Sequence, residues 1–166
     1  MTMERNTQQW HAALPLLDRL TDGEPGIPDR LWTSRAESMR LLKNSLRRDL
    51  EWLLNARRPA DPPAALRELN RSVFVYGLPD FTAYSLASSA DRARLLADLE
   101  AAIRLFEPRL DDVRVVRLED ERLSHAVRFR IEALLLVDPA PEQVSFDTVL
   151  ELSSGEYQVK GEADAR

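Results

Sequence analysis

An acid, a proline and a base stand side by side at Glu107-Pro108-Arg109. Apolar residues at helical spacing run up to Phe106, so Glu107 falls in the last turn of a helix. There the carbonyl end of the helix dipole disfavours a negative charge by about 0.3–1 kcal/mol. A cation has to offset it, and Arg104 and Arg109 are the ones at hand. Pro108 fixes its own backbone angle and disfavours helix at the residue before it, so acid and base sit on a stiff helix-to-strand corner. Two readings compete with an ionic contact to a partner. One is an exposed, weakly paired patch of surface. The other is glycoside hydrolysis, with Glu107 as proton donor and Asp111 or Asp112 as the second carboxylate. Arginines on both sides favour the charged carboxylate, the wrong form for a donor.

Other chemistries lack the atoms they need. With no cysteine in 166 residues there is no disulfide, thiolate metal site or cysteine nucleophile. The two histidines, His11 and His125, stand far apart, with no metal-ligand spacing and no G-x-S-x-G elbow nearby. None of the five glycines forms a G-x-G pair, so no phosphate cradle is present. With 28 acidic residues, some pair of carboxylates always looks plausible, and pairing alone says nothing. No catalytic residue, metal or cofactor is therefore expected. The net charge of -5 argues against nucleic acid as a partner, although eight basic and three acidic residues lie between Arg30 and Arg58. The longest apolar run, Ala133 to Val137, is far short of the roughly 18 residues that cross a bilayer. The first residues are polar, so a cytoplasmic protein without membrane insertion is expected.

Length and composition fit one globular domain with a real core. Residues 1–35, broken by Pro15, Gly23, Pro25, Gly26 and Pro28, read as a docking arm and loop carrying Leu14, Leu16, Leu17 and Leu20. Residues 36–166 read as the α+β domain. From Ser38 to Ala56, Met39, Leu42, Leu46, Leu50 and Leu53 share one helical face, while Leu41 and Trp52 form a thinner stripe nearly opposite. A helix buried on two sides is expected there. Val73 to Tyr76 reads as a brief strand, followed by a turn at Gly77, Pro79 and Asp80. The next helix is capped by Ser88 or Ser89, carries Leu95, Leu96, Leu99, Ala102, Ile103 and Phe106 on one stripe, and ends before Pro108.

Beyond Pro108 the period changes to two. Val113 to Leu118, Ala126 to Val137, Val144 to Ser153 and Tyr157 to Val159 alternate as strands, with turns at Glu119 to Glu121, Pro139 to Pro141 and Gly155. Helices followed by an antiparallel meander make an α+β fold, with the segments around Val113 to Val116 and Tyr157 to Val159 outermost.

Glu107-Pro108-Arg109 resembles the E-P-R signature of the sheath-initiating baseplate wedge proteins of contractile phages and of TssE, their type VI secretion counterpart. Further blocks match in the same order: Leu16 to Leu20, Leu46 to Asn55 (LRRDLEWLLN), Tyr76 to Phe81 (YGLPDF), Phe129 to Ile131 and Val144 to Thr148. The resemblance runs from about Leu14 to Val159. It implies N-terminal helices packed on a sheet similar to the handshake region of contractile sheath subunits, and a structural role without enzymatic activity. It also implies a wedge made with TssF, TssG and TssK, a strand-exchange surface for the sheath proteins TssB and TssC, and docking through Glu107, Pro108 and Arg109. A peptidoglycan hydrolase using Glu107 is the alternative, from the lysozyme-related label that the family has carried.

Overall fold

The computed structural model describes residues 35–60, 62–63, 65–82, 84–85, 88–118 and 126–161. The arm expected over residues 1–35, including Leu14 to Leu20, lies almost wholly outside the described residues, as do both histidines and the turn at Glu119 to Glu121. The chain divides into two compact units, Met1–Leu46 and Arg47–Arg166.

Helix α1 spans Arg35–Asn55. Leu42, Leu46, Leu50 and Leu53 are buried on it, as their spacing predicts, and Leu54 at the margin is buried with them, while Met39 is only half-buried. Each fully buried leucine contributes about 1.5–3 kcal/mol. The second stripe is covered only in part: Leu41 is half-buried, but Trp52 is 51% exposed, with the Arg48 guanidinium lying 5.0 Å from its ring centre. Near its end the helix is held by one buried face, and the aromatic opposite is only flanked by a flexible cation.

Val73 to Tyr76 is a 3-10 turn at Val73–Val75, not a strand. β-branched residues favour strands only beside a partner strand, and here the Ser72 side chain accepts from the Phe74 N–H and closes a local turn instead. The YGLPDF block then runs against the end of α1. Leu78 donates to the Ala56 carbonyl at 2.9 Å and accepts from the Arg58 N–H at 3.0 Å. Only glycine fits at position 77, where φ is +104° and a Cβ would stand 2.5 Å from the Ala56 oxygen.

Helix α2, Ser89–Phe106, is capped by the Ser88 side chain, which accepts from the Asp91 N–H. Its Leu95, Leu99, Ala102 and Ile103 are buried. After Pro108 the strands β1 (Leu110–Leu118), β2 (Ala126–Leu135), β3 (Glu142–Glu151) and β4 (Tyr157–Val159) form one antiparallel sheet in the order β1-β2-β3-β4. This α+β arrangement, helices first and then a meander, is the expected one, with β1 and β4 outermost. The sheet buries Val115, Phe129, Ile131, Val144, Phe146, Leu150, Tyr157 and Val159. β1 starts three residues earlier than its alternation suggests, because the register shifts between Asp111 and Arg114. Asp112, at φ 45°, makes that irregularity and lets Leu110 and Val113 both turn inward.

Candidate functional site

The corner at Glu107 is a fixed joint. Glu107 ends α2, its N–H still bonded to the Ile103 carbonyl at 2.8 Å, and its own carbonyl accepts from the Leu110 N–H at 3.1 Å. On the far side of Pro108, the Arg109 carbonyl accepts from the Leu136 N–H at 2.8 Å, which locks the elbow to the end of β2. Main-chain bonds thus hold both sides of the proline.

The side chains complete an ion triad. Arg109 Nε donates to Glu107 Oε1 at 2.6 Å, and Nη2 bonds both Glu107 Oε2 and, at 2.7 Å, Asp49 Oδ2 of α1. The Arg109 N–H reaches Glu107 Oε1 as well, at 3.3 Å. Glu107 is only 5% exposed, whereas the Arg109 and Asp49 side chains are each 25% exposed and Pro108 is exposed. Burial opposes charge on Arg109, yet hydrogen bonds and charge from Glu107 and Asp49 outweigh it and hold the guanidinium above its usual range. Tyr76 borders the group: burial, then the Asp49 and Glu107 charges, push its hydroxyl up from the ordinary tyrosine value. Its ring meets Phe106 edge-on at 5.2 Å.

Of the two cations expected to offset Glu107, only Arg109 does so. Arg104 turns to β1, donating to the Val113 carbonyl and pairing with Glu100 at 3.1 Å. Glu100 in turn accepts from the Val115 N–H at 2.9 Å, so an ion pair of α2 covers part of the outer border of β1. The two carboxylates named for hydrolysis are engaged elsewhere. Asp111 accepts from the Asp112 N–H at 2.8 Å, and Asp112 meets Arg114 at 3.3 Å. Both Glu107 oxygens are held by the Arg109 guanidinium. Among the described residues there is no cluster of three or more metal-ligating side chains, and no helix is long and apolar enough to cross a membrane.

A second joint lies at the other end of the sheet. Asn55, the last residue of α1, accepts from the Tyr157 N–H and donates to the Tyr157 carbonyl, each at 2.9 Å. Arg47 donates to the Val159 carbonyl at 3.2 Å. Arg57 bonds the Gly155 carbonyl at 2.9 Å and lies 4.5 Å from the Phe81 ring centre and 5.7 Å from that of Tyr157. These residues border an open polar groove of about 870 Å³ between the end of α1 and β4.

Asp49, Tyr76 and Asn55 carry no motif of their own, and the sequence gives them no separate role. The available signal was their position inside the matching blocks LRRDLEWLLN and YGLPDF, which the fold brings to the elbow and the far corner. No curated protein matches the chain. The model of a family described as baseplate wedge protein gp25 matches residues 40–140, a span that begins in α1, takes in Asp49 and the elbow, and ends in the turn before β3. That match covers more than half of the chain and includes the blocks that build the triad, so the chain belongs to the gp25 baseplate wedge family, the family of TssE.

Proposed function

We propose that this chain is a non-enzymatic baseplate subunit of a type VI secretion system, docking on a TssF/TssG wedge core with TssK and starting the TssB/TssC sheath. Membership of the wedge family supports a structural role in a baseplate. The observation that carries the docking site is the free end of Arg109. A guanidinium has five donors. Glu107 and Asp49 occupy Nε and Nη2, while Nη1 has no hydrogen-bond partner among the described residues. A carboxylate or carbonyl of the wedge would meet Nη1 beside exposed Pro108, a contact suited to the planar arginine fork. Glu107 acts through Arg109: buried itself, it sets the guanidinium. The protein would work in the cytoplasm, at the membrane-facing baseplate.

Arg109→Lys tests this reading. Lysine keeps the charge but cannot bond two acids and still present a planar fork outward. Co-purification with TssF/TssG should fall at least about tenfold, a loss of roughly 1.4 kcal/mol in binding. Circular dichroism should stay that of the wild type. Normal recovery of the wedge by this variant would sink the docking role of the elbow. Loss of peptidoglycan turbidity that disappears in Glu107→Gln would favour the hydrolase instead.

A further inference from the structure

β1 is outermost in the sheet, so every second residue of it turns its main-chain groups away from β2. The Val115 N–H is one such group, and it donates to Glu100 Oε1 of α2 at 2.9 Å. The Val113 carbonyl is another, and the Arg104 guanidinium donates to it. Glu100 and Arg104 stand four residues apart on α2 and pair with each other at 3.1 Å, so one ion pair supplies both an acceptor and a donor to the border. The two side chains could satisfy each other without touching β1. Instead each also takes a main-chain group that an adjoining strand would bond.

Stripped of that pair, the border would be complementary to itself. Two copies of β1 laid antiparallel about Val115 would set Val115 against Val115, Val113 against Arg117 and Arg114 against Val116. No like charges would face each other, and the exposed Val116 would meet the apolar stem of an arginine. The hydrogen bonds at the centre of that ladder would run through the Val113 carbonyl and the Val115 N–H, the groups that Arg104 and Glu100 occupy. Toward its start β1 is already hard to pair, because its register shifts between Asp111 and Arg114 and Asp112 stands at φ 45°. The regular stretch is Val113 to Leu118, and the ion pair covers it where a second strand would begin. We infer that the Glu100–Arg104 pair is a guard on β1, which keeps a second copy of this chain from pairing with it edge to edge. A strand arriving there has to break two charge-assisted hydrogen bonds before it can make its own.

Analytical sedimentation and residue-resolved amide exchange on the full chain test this, with the double variant Glu100→Ala, Arg104→Ala. Both side chains are partly exposed and alanine favours helix, so the melting temperature should stay close to that of the wild type. In dilute solution the Val115 amide of the variant should exchange at least about tenfold faster than in the wild type. At rising concentration the variant should dimerise at least about tenfold more tightly than the wild type, and its Val115 amide should become protected again. Glu100→Gln keeps an acceptor for the Val115 N–H and should sediment like the wild type. A Val115 amide that stays slow in the double variant overturns the inference, as does a double variant no more associated than the wild type. Association that leaves the Val115 amide open places the contact on another surface and overturns it equally. So does a Glu100→Gln protein that associates as strongly as the double variant. If the double variant fails to fold, the wild type decides. Its Val115 amide should exchange at least about tenfold more slowly than that of Arg117, the next residue turned outward, and equal rates overturn the guard.

Discussion

Two joints tie α1 to the sheet, and they work by opposite means. At the elbow the link is ionic: Asp49 and Glu107 share one guanidinium in a partly desolvated corner. At the far corner it is neutral, one asparagine amide standing in for a neighbouring strand against Tyr157, with Arg57 laid over aromatic rings. An ionic joint is costly to break, because each charge left behind has lost its water. It also leaves donors over, since a guanidinium has more N–H groups than two acids have used. The Asn55 amide, by contrast, uses both its donors, on the Glu51 and Tyr157 carbonyls. The elbow keeps its guanidinium partly exposed, and the corner covers part of the β4 border.

The sharpest way to break this contrast is Arg109→Ala, which leaves Glu107 buried and uncompensated. Unfolding free energy should fall by about 3 kcal/mol, at the low end for a buried pair because Arg109 is a quarter exposed. Denaturant titration measures it, and Glu107→Gln should cost less, since Arg109 keeps Asp49. A wild-type midpoint for Arg109→Ala would mean that the ionic joint holds nothing.

Asn55→Ala is the corresponding cut at the neutral corner. Losing its three hydrogen bonds to main-chain groups, one of them to the Glu51 carbonyl, should cost about 1–2 kcal/mol. The Tyr157 amide should also exchange faster. Should this cost exceed that of Arg109→Ala, the ranking of the two joints is reversed.

The smallest effect is expected at Tyr157, whose buried hydroxyl finds no hydrogen-bond partner among the described residues. Tyr157→Phe should leave stability unchanged or raise it by up to about 1 kcal/mol. Burial pushes the Tyr157 hydroxyl above the ordinary tyrosine value, against a smaller opposing pull from Arg57. The folded state thus holds this proton where the unfolded chain releases it, above about pH 10. Stability due to this group is complete below that pH and declines as the pH rises toward the folded-state value. Thermal melts from pH 9 to 11 should therefore fall less steeply in Tyr157→Phe; equal slopes would place the hydroxyl in water.

Much of the fold was legible because it follows from period and punctuation. The leucines of α1 and α2, the stop at Pro108 and the alternation of β2 and β3 each need only near neighbours in the chain. Val73 to Tyr76 misled, since its residue types favour strands but no partner strand reaches them. Trp52 misled too, because a wheel cannot show which members of a second apolar stripe face water.

The sequence alone determined the elbow: an acid ending a helix, a proline and a base must stand together, because covalent geometry joins them. It also determined that the acid needs a cation. Which cation answers, that Asp49 arrives from 60 residues away, and that Glu107 is buried while Arg109 stays a quarter exposed were decided only by packing. The same holds for the sheet edges. Alternation shows which residues form strands, but how far the borders of β1 and β4 are covered depends on where two helices set Glu100, Arg104, Asn55 and Arg47, and no local period encodes a contact between distant segments.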